Sequence, residues 1–336
     1  MALPDSPEIN ASDYIYEDDV IAVTVPESAA GDRLDKVLAQ LIPQHSRNRL
    51  QAWIEEGWVT SGGQTLKVRH AVRAGEVLLV LPQPRVEDQA YVAEPLNLDI
   101  VYEDDDLLVV NKPAGMVVHP AAGNWSGTLL NGLLHHFPPI AQVPRAGIVH
   151  RIDKETSGLL MVAKTLESQT DLVRQLQART VSRRYIAIAW GKVSTQVIRG
   201  AIGRDPRDRL KMAVLTGPNA KPAVTHVIAN QSVNFHGTPI SLITCRLETG
   251  RTHQIRVHLE SAGHPLLGDT VYKKRLPTIA KELVFDRGGQ ALHAARLGIV
   301  HPRTGQELSW EVSLPKDMAD LATALEFSAL DSLRWE

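Results

Sequence analysis

Residues 147–164, Gly-Ile-Val-His-Arg-Ile-Asp-Lys-Glu-Thr-Ser-Gly-Leu-Leu-Met-Val-Ala-Lys, constrain this chain more than any other stretch. Ile148 and Val149 end one apolar run. Leu159 to Ala163 form a second, long enough for a buried strand. Between them lie His150, Arg151, Asp153, Lys154, Glu155, Thr156, Ser157 and Gly158, and Gly158 punctuates the end of the loop. A short polar loop with a guanidinium and a carboxylate is thus expected between two rigid elements, where chemistry tends to sit. Spacing alone leaves two readings open: a reactive site, or Arg151 and Asp153 paired on a surface turn.

The chain before this loop divides by composition. Residues 1–13 are polar, hold Pro4 and Pro7, and show no periodicity, so a disordered acidic tail is expected over 1–19. Val20 to Val25 suit a strand. Leu34, Val37, Leu38 and Leu41 repeat at helical spacing behind Asp32, which can cap. Ser46 can start a second helix with Leu50, Trp53 and Ile54 inward and Gly57 at its end. Val59, a turn at Gly62-Gly63, and Val77 to Leu81 read as short strands. A compact unit is therefore expected over 20–82. An acidic, proline-containing linker should follow over 83–98, with Pro84 and Pro95.

Beyond the linker the pattern is α+β. Leu107 to Val110 read as a strand running into Asn111-Lys112-Pro113-Ala114-Gly115, where Lys112-Pro113 reads as a structural turn. Helices are expected over 128–136 and 167–179, and a strand over 182–191. Leu247 to His258 suggest a strand passing into a helix. A second domain is expected over 99–326 and a C-terminal tail over 327–336.

The formal net charge of −2 hides a regional asymmetry. Residues 1–30 and 86–110 carry 15 of the 38 acids and no Lys or Arg; the remainder has 36 bases against 23 acids. Such an excess suits an electrostatic footprint for RNA, although a solvated basic surface would look the same. Arg47 and Arg49 stand in a helix's first turn, where acids are preferred, and phosphates could supply the missing negative charge. Arg204, Arg207, Arg209 and Lys211 crowd a Gly/Pro-containing loop that suits phosphate contacts.

His-Arg-Ile-Asp-Lys-Glu-Thr-Ser-Gly at 150–158 resembles the signature of the pseudouridine synthases of the ribosomal large-subunit type, with Ile152 where leucine is usual. Asn111 to Pro120 resemble the family's first motif. Leu-Glu-Thr-Gly-Arg-Thr-His-Gln-Ile-Arg-Val-His at 247–258 resembles its third, and Gly263 to Asp269 and Ala291 to Ala294 continue the likeness. Residues 31–81 are similar to the S4 RNA-binding domain.

The resemblance implies an α+β protein: a small N-terminal S4-like (alpha-L) domain, and a catalytic domain with a mixed, mainly antiparallel sheet and flanking helices. It implies Asp153 as the nucleophile, Tyr185 in the active site, and an arginine paired with the aspartate. Motif spacing puts that arginine at Arg256, with Arg251 as the other choice. Leu292 should line the base pocket. The RNA should be met by Arg151, which can fill the gap left by a flipped nucleotide, and by Arg47, Arg49, Arg183, Arg184, Arg204, Arg207, Arg209, Lys211 and Arg251. An arginine beside the aspartate favours its ionised form.

Within the family, residues 122–147 are most similar to a member that modifies uridines in the helix 69 stem-loop of 23S ribosomal RNA. The implied partner is 23S ribosomal RNA or a large-subunit precursor, met by a monomer. Sister specificities for other 23S or transfer-RNA uridines, and a non-catalytic S4-type ribosome-assembly protein, are the competing readings. Isomerisation is redox-neutral, so no cofactor is expected, and no phosphate-cradling motif suggests a nucleotide. The 13 histidines lack metal-ligand spacing. The single cysteine, Cys245, excludes an internal disulfide and a cysteine-rich zinc ribbon. No signal-peptide pattern and no membrane-length apolar run are found, so a cytoplasmic location is expected.

Overall fold

A computed structural model describes residues 20–82, 91–121, 123–208, 210–274, 276–277, 280, 285, 288–328 and 330–335. The expected tail over 1–19 and the first half of the expected linker lie outside them. The chain divides between residues 86 and 87 into two compact units.

The N-terminal unit contains β1 (Ile21–Thr24), α1 (Leu34–Leu41), α2 (Arg47–Glu55), β2 (Val59–Ser61), β3 (Gln64–Thr65) and β4 (Val77–Val80). Its strands form an antiparallel sheet in the order β1-β4-β2-β3. The helical repeat buries Leu34, Val37 and Leu38 of α1 and Leu50, Trp53 and Ile54 of α2 against Val59, Leu78 and Val80. Asp32 is not the cap of α1. Arg33 occupies that position, and the Asp32 carboxylate instead accepts from Lys36 Nζ at 3.0 Å.

Asp35, in the first turn of α1, is fully buried. Its carboxylate accepts from Arg33 Nε (3.0 Å), Arg47 Nη2 (2.7 Å) and Gln51 Nε2 (2.6 Å). Burial pushes the Asp35 carboxyl up, and the bonds from Gln51, Arg47 and Arg33 outweigh it and pull the pKa down to about 2. The negative charge expected from phosphate at Arg47 is thus already supplied from within the unit. Arg49 lies over the Trp53 ring, 4.8 Å from its centroid.

The C-terminal unit contains β5 (Ile100–Glu103), β6 (Leu107–Lys112), α3 (Leu129–His136), β7 (Ser157–Ala163), α4 (Leu166–Ala178), β8 (Ser182–Trp190), β9 (Gln196–Arg199), β10 (Ile202–Arg204), β11 (Met212–Val214), β12 (Val224–Phe235), β13 (Thr238–Leu247), α5 (Gln254–Ser261), β14 (Leu292–Val300), β15 (Glu307–Glu311) and α6 (Lys316–Ala324). Nine strands form one sheet, in the order β5-β6-β7-β14-β8-β13-β12-β9, with β15 beside β14. Among the described residues only β7 and β14 pair in parallel, Ser157 with His293 and Gly158 with Ala294. Further along, Arg296 to Val300 of β14 pair with β15 instead. The stretch 199–211, read as a loop, contains β10, half of a hairpin with β11.

Both sheet faces are covered, which is why the strands read as near-continuous apolar runs. Alternation along β8 sends Tyr185, Ala187 and Ala189 to the face packed by α3 and α5. Ile186, Ile188 and Trp190 go to the face packed by α6. Gly158 has φ 110°, and a Cβ there would stand 2.2 Å from the Ala294 carbonyl oxygen. Glycine is therefore required where β7 meets β14.

Two sequence expectations change here. Residues 91–98 are not a free linker. Glu94 accepts the Gly127 N–H at 2.9 Å, Asn131 Nδ2 donates to the Val92 carbonyl at 2.8 Å, and Leu98 packs on the main core. The acidic composition masked these few anchoring contacts. The segment 327–335 is not a tail: Phe327 and Trp335 are buried with α6, and Thr244 Oγ1 donates to the Arg334 carbonyl at 2.6 Å. Phe327 and Trp335, with Leu330 and Leu333 packed against the same cluster, gain enough from burial to dock the segment.

Candidate active site

The loop 150–156 is held rigid from below. Lys112, at the end of β6, is fully buried. Its ammonium donates to the carbonyls of Pro113 (2.7 Å), Met116 (2.8 Å) and Lys154 (3.0 Å). A buried cation spread over three carbonyls ties the Lys112-Pro113 turn to the loop. At the loop's start, His150 Nε2 accepts the Met161 N–H at 3.1 Å. That bond needs a neutral ring, and burial, with Arg183 nearby, pulls the His150 pKa down to about 3.

This frame presents Asp153 to a pocket also lined by Arg151, Thr156, Arg183, Tyr185, Gly250, Arg251, His253, Arg256 and Leu292. Of the two candidate arginines, Arg256 reaches the aspartate: its Nη1 donates to Asp153 Oδ2 at 3.2 Å. Arg251 turns its Nε to the Pro222 carbonyl at 3.3 Å. Arg256 is 6% exposed at the side chain and is itself clamped by fully buried Asp269, Nε to Oδ2 at 2.7 Å and Nη2 to Oδ1 at 2.9 Å. Burial pushes the Arg256 pKa down, and the bonds from Asp269 and Asp153 more than reverse this, so it stays charged. Asp269 Oδ1 is fixed in turn by the backbone N–H groups of Val271 and Tyr272.

One oxygen of Asp153 is thus tied to a buried cation. The other, Oδ1, has His253 Nε2 3.9 Å away. His253 has φ 56° and begins α5. Its Nδ1 lies 2.7 Å from the Tyr272 hydroxyl, whose oxygen already accepts the Met212 N–H at 2.8 Å. The phenol can donate its proton to Nδ1. Burial lowers the His253 pKa and Asp153 only partly offsets it. A neutral imidazole that accepts at Nδ1 carries its proton on Nε2, facing Asp153. The turn before it is locked by Gln254, whose amide accepts from Thr249 Oγ1 (2.7 Å) and donates to the Val224 carbonyl (3.0 Å).

Tyr185 and Leu292 stand on neighbouring strands and bring a ring and an aliphatic wall to the pocket. Burial raises the Tyr185 pKa, so its phenol is protonated at neutral pH. Of the other arginines predicted to meet RNA, Arg151, Arg183 and Arg251 line this pocket and Arg184 does not. As the next residue on β8, it points to the opposite face, where Nη1 donates to the Trp335 carbonyl at 3.1 Å. Arg204, Arg207 and Lys211 lie on or beside the β10–β11 hairpin, away from the pocket lining. Arg209 lies outside the described residues.

Sequence reasoning missed Asp269, Tyr272 and His253. Asp269 closes a quoted motif, and its position after Gly268 was the one available signal.

Residues 106–261 match the model of the family described as RNA pseudouridylate synthase, and residues 32–78 match the S4 domain. The chain is 52% identical over 343 residues to ribosomal large subunit pseudouridine synthase D of Neisseria meningitidis serogroup B, covering 96% of this chain and 89% of the relative. It is 49% identical over 321 residues to the protein of the same name from Nitrosomonas europaea, covering 95% and 92%. Among solved structures, human RNA pseudouridylate synthase domain containing 1 aligns with a TM-score of 0.51 at 26% identity, covering 74% of this chain and 98% of that one.

Proposed function

This chain belongs to the RNA pseudouridylate synthase family, and from that premise we propose that it isomerises uridine to pseudouridine in the helix 69 stem-loop of 23S ribosomal RNA. In this reading it works as a monomer in the cytoplasm and supports large-subunit maturation. The large-subunit assignment rests on the relatives' names; helix 69 rests on the likeness over residues 122–147.

One observation carries the catalytic reading: Asp153 Oδ2 is held at 3.2 Å by a buried arginine while Oδ1 faces a pocket walled by Tyr185 and Leu292. The reaction breaks the bond from C1′ to N1, turns the uracil, and joins C1′ to C5; the C5 proton leaves and N1 gains one. Asp153 is the carboxylate that this chemistry needs. Leu292 packs the base. Tyr185 stacks on it and, as a neutral phenol, can carry a proton. His253 offers Nε2–H to the oxygen that gains charge as the uracil departs. The target cannot be reached in a stacked helix, so it flips out, and exposed Arg151 fills the gap. Arg183 and Arg251 meet the strand near the pocket, and the S4 domain, with Arg47 and Arg49, adds its own hold on the RNA.

The test is a pseudouridine map of ribosomal RNA from cells lacking the gene, with the purified chain added back. Loss confined to helix 69 and restored by the protein is expected. Loss at other uridines would overturn the specificity, and no loss anywhere would overturn the catalytic role.

A further inference from the structure

A second cavity adjoins the Asp153 pocket and shares Arg151, Arg183, Gly250 and Arg251 with it. Arg145 and Arg179 complete a lining with five guanidiniums. Glu248 is its one carboxylate, and that group is already engaged, 2.6 Å from His226 Nε2 and 3.8 Å from Arg179 Nη1.

Arg183 differs from its neighbours in this lining. It is 7% exposed, and its Nε has no hydrogen-bond partner. Among the described residues no carboxylate lies within ion-pair distance of it. Its titratable neighbours give no compensation: His150 is held neutral and Tyr185 protonated. Guanidinium does not lose its proton in proteins, so the cation persists. A buried, unpaired charge costs free energy that a bound anion would recover. At Gly250 a Cβ would stand 2.6 Å from Arg183 Nη1, so a larger residue there would push the guanidinium aside. The backbone there is kept open around this one side chain.

We propose that this cavity is the subsite for the phosphodiester next to the target uridine, with Arg183 as the fixed cation at its base. It rests on the reading of the Asp153 pocket as the uridine site. Two cavities that share four lining residues leave room for only about one nucleotide step between their occupants. The planar, donor-rich guanidinium suits phosphate oxygens. Arg145, Arg179 and Arg251 would close over the anion, while Arg183 is in place beforehand.

The test is single-linkage neutralisation. A helix 69 stem-loop is made as a series with one methylphosphonate at each linkage around the target, and binding to the full-length wild type and to Arg183→Met is measured. For wild type, one linkage flanking the target should weaken binding about tenfold when neutralised, the scale of a charge-assisted bond. In Arg183→Met that linkage should no longer matter, while distant linkages keep their effects. An interference pattern identical in both proteins would overturn the proposal. If Arg183→Met does not fold, Gly250→Ala displaces the same guanidinium and is read in the same way. Binding is scored without turnover, so a wild type that forms no pseudouridine would overturn the uridine-site reading and leave the interference result standing on its own.

Discussion

In the N-terminal unit a carboxylate is buried, and the guanidiniums that hold it face outward. In the C-terminal unit a guanidinium is buried, and one of the carboxylates it holds faces a pocket. Asp35 sits under Arg33 and Arg47, whose side chains are about half exposed at 48% and 49%. Arg256 sits under Asp269 and Asp153, which are 0% and 16% exposed. The buried partner fixes the geometry, and the outer partner carries the sign of charge that the surface presents. The first arrangement displays positive charge, suited to a phosphate backbone. The second displays a single oriented carboxylate, suited to reaction. The outer arginines can rehydrate when the cluster breaks; Asp153 has one fixed partner and no such freedom.

The harshest way to break the comparison is Asp153→Asn. Turnover should fall by at least about a thousandfold, roughly 4 kcal/mol of barrier, with RNA affinity nearly unchanged. Residual activity above that level in a quenched single-turnover assay would show that the outer carboxylate is not the reacting group.

Next is Arg256→Met, which leaves Asp153 and Asp269 side by side without their cation. A loss of about a hundredfold in turnover is expected, because the position of the Asp153 carboxylate depends on it. Arg251→Met, which only reaches a carbonyl, should act on RNA affinity instead. Should Arg251→Met abolish turnover and Arg256→Met spare it, the ion pair would be the wrong one.

Removing the buried partner on the other side is milder. Asp35→Ala should cost about 2 kcal/mol, below the range for wholly buried pairs because Arg33 and Arg47 can turn to water. Hydrogen exchange over α1 and α2, corrected for intrinsic rates, reads this unit alone. Protection equal to wild type would mean that the cluster is ornamental. The sign with pH follows from the depressed Asp35 pKa. The contribution is full above the ordinary carboxylate value of 3.8 and is lost as pH falls toward about 2. Wild type should therefore lose protection over that window, and Asp35→Ala should show less of this acid loss.

The smallest effect is expected from taking the outward charge away altogether. A chain lacking residues 1–85 should keep its chemistry and bind a helix 69 stem-loop less tightly, with a flatter dependence on salt, since fewer phosphate contacts release fewer counterions. An unchanged salt slope would mean that the exposed faces of Arg33, Arg47 and Arg49 are only solvated.

Much of this was legible in the residues. The apolar runs of β6, β7 and β8 and the helical repeat of α1 mark their elements because each buries a regular face. The Asp153 loop is legible because a dense polar motif interrupts two such runs. Arg184 shows where reading by composition fails: it sits beside Arg183 in sequence, and the two-residue strand period sends it to the other face. The Arg47–Asp35 bond and the Lys112 clamp were illegible for another reason. A partner 12 residues away for Arg47, or 42 for Lys112, is chosen by packing and leaves no local signature. The docking of 327–335 likewise depends on a hydrophobic surface built by distant strands.

The parallel seam between β7 and β14 also sets a clock. Ser157 and His293, which pair across it, are 136 residues apart, and β8 can join β7 only through β14. During synthesis the Asp153 loop emerges long before the strand that carries Leu292. Until that strand arrives, β7 and β8 each have an edge with no partner, a state prone to pairing with other chains. Closing so long a loop is also slow relative to the local hairpins. A chain caught part-way through translation therefore has its reactive aspartate but no finished base pocket until β14 has been made.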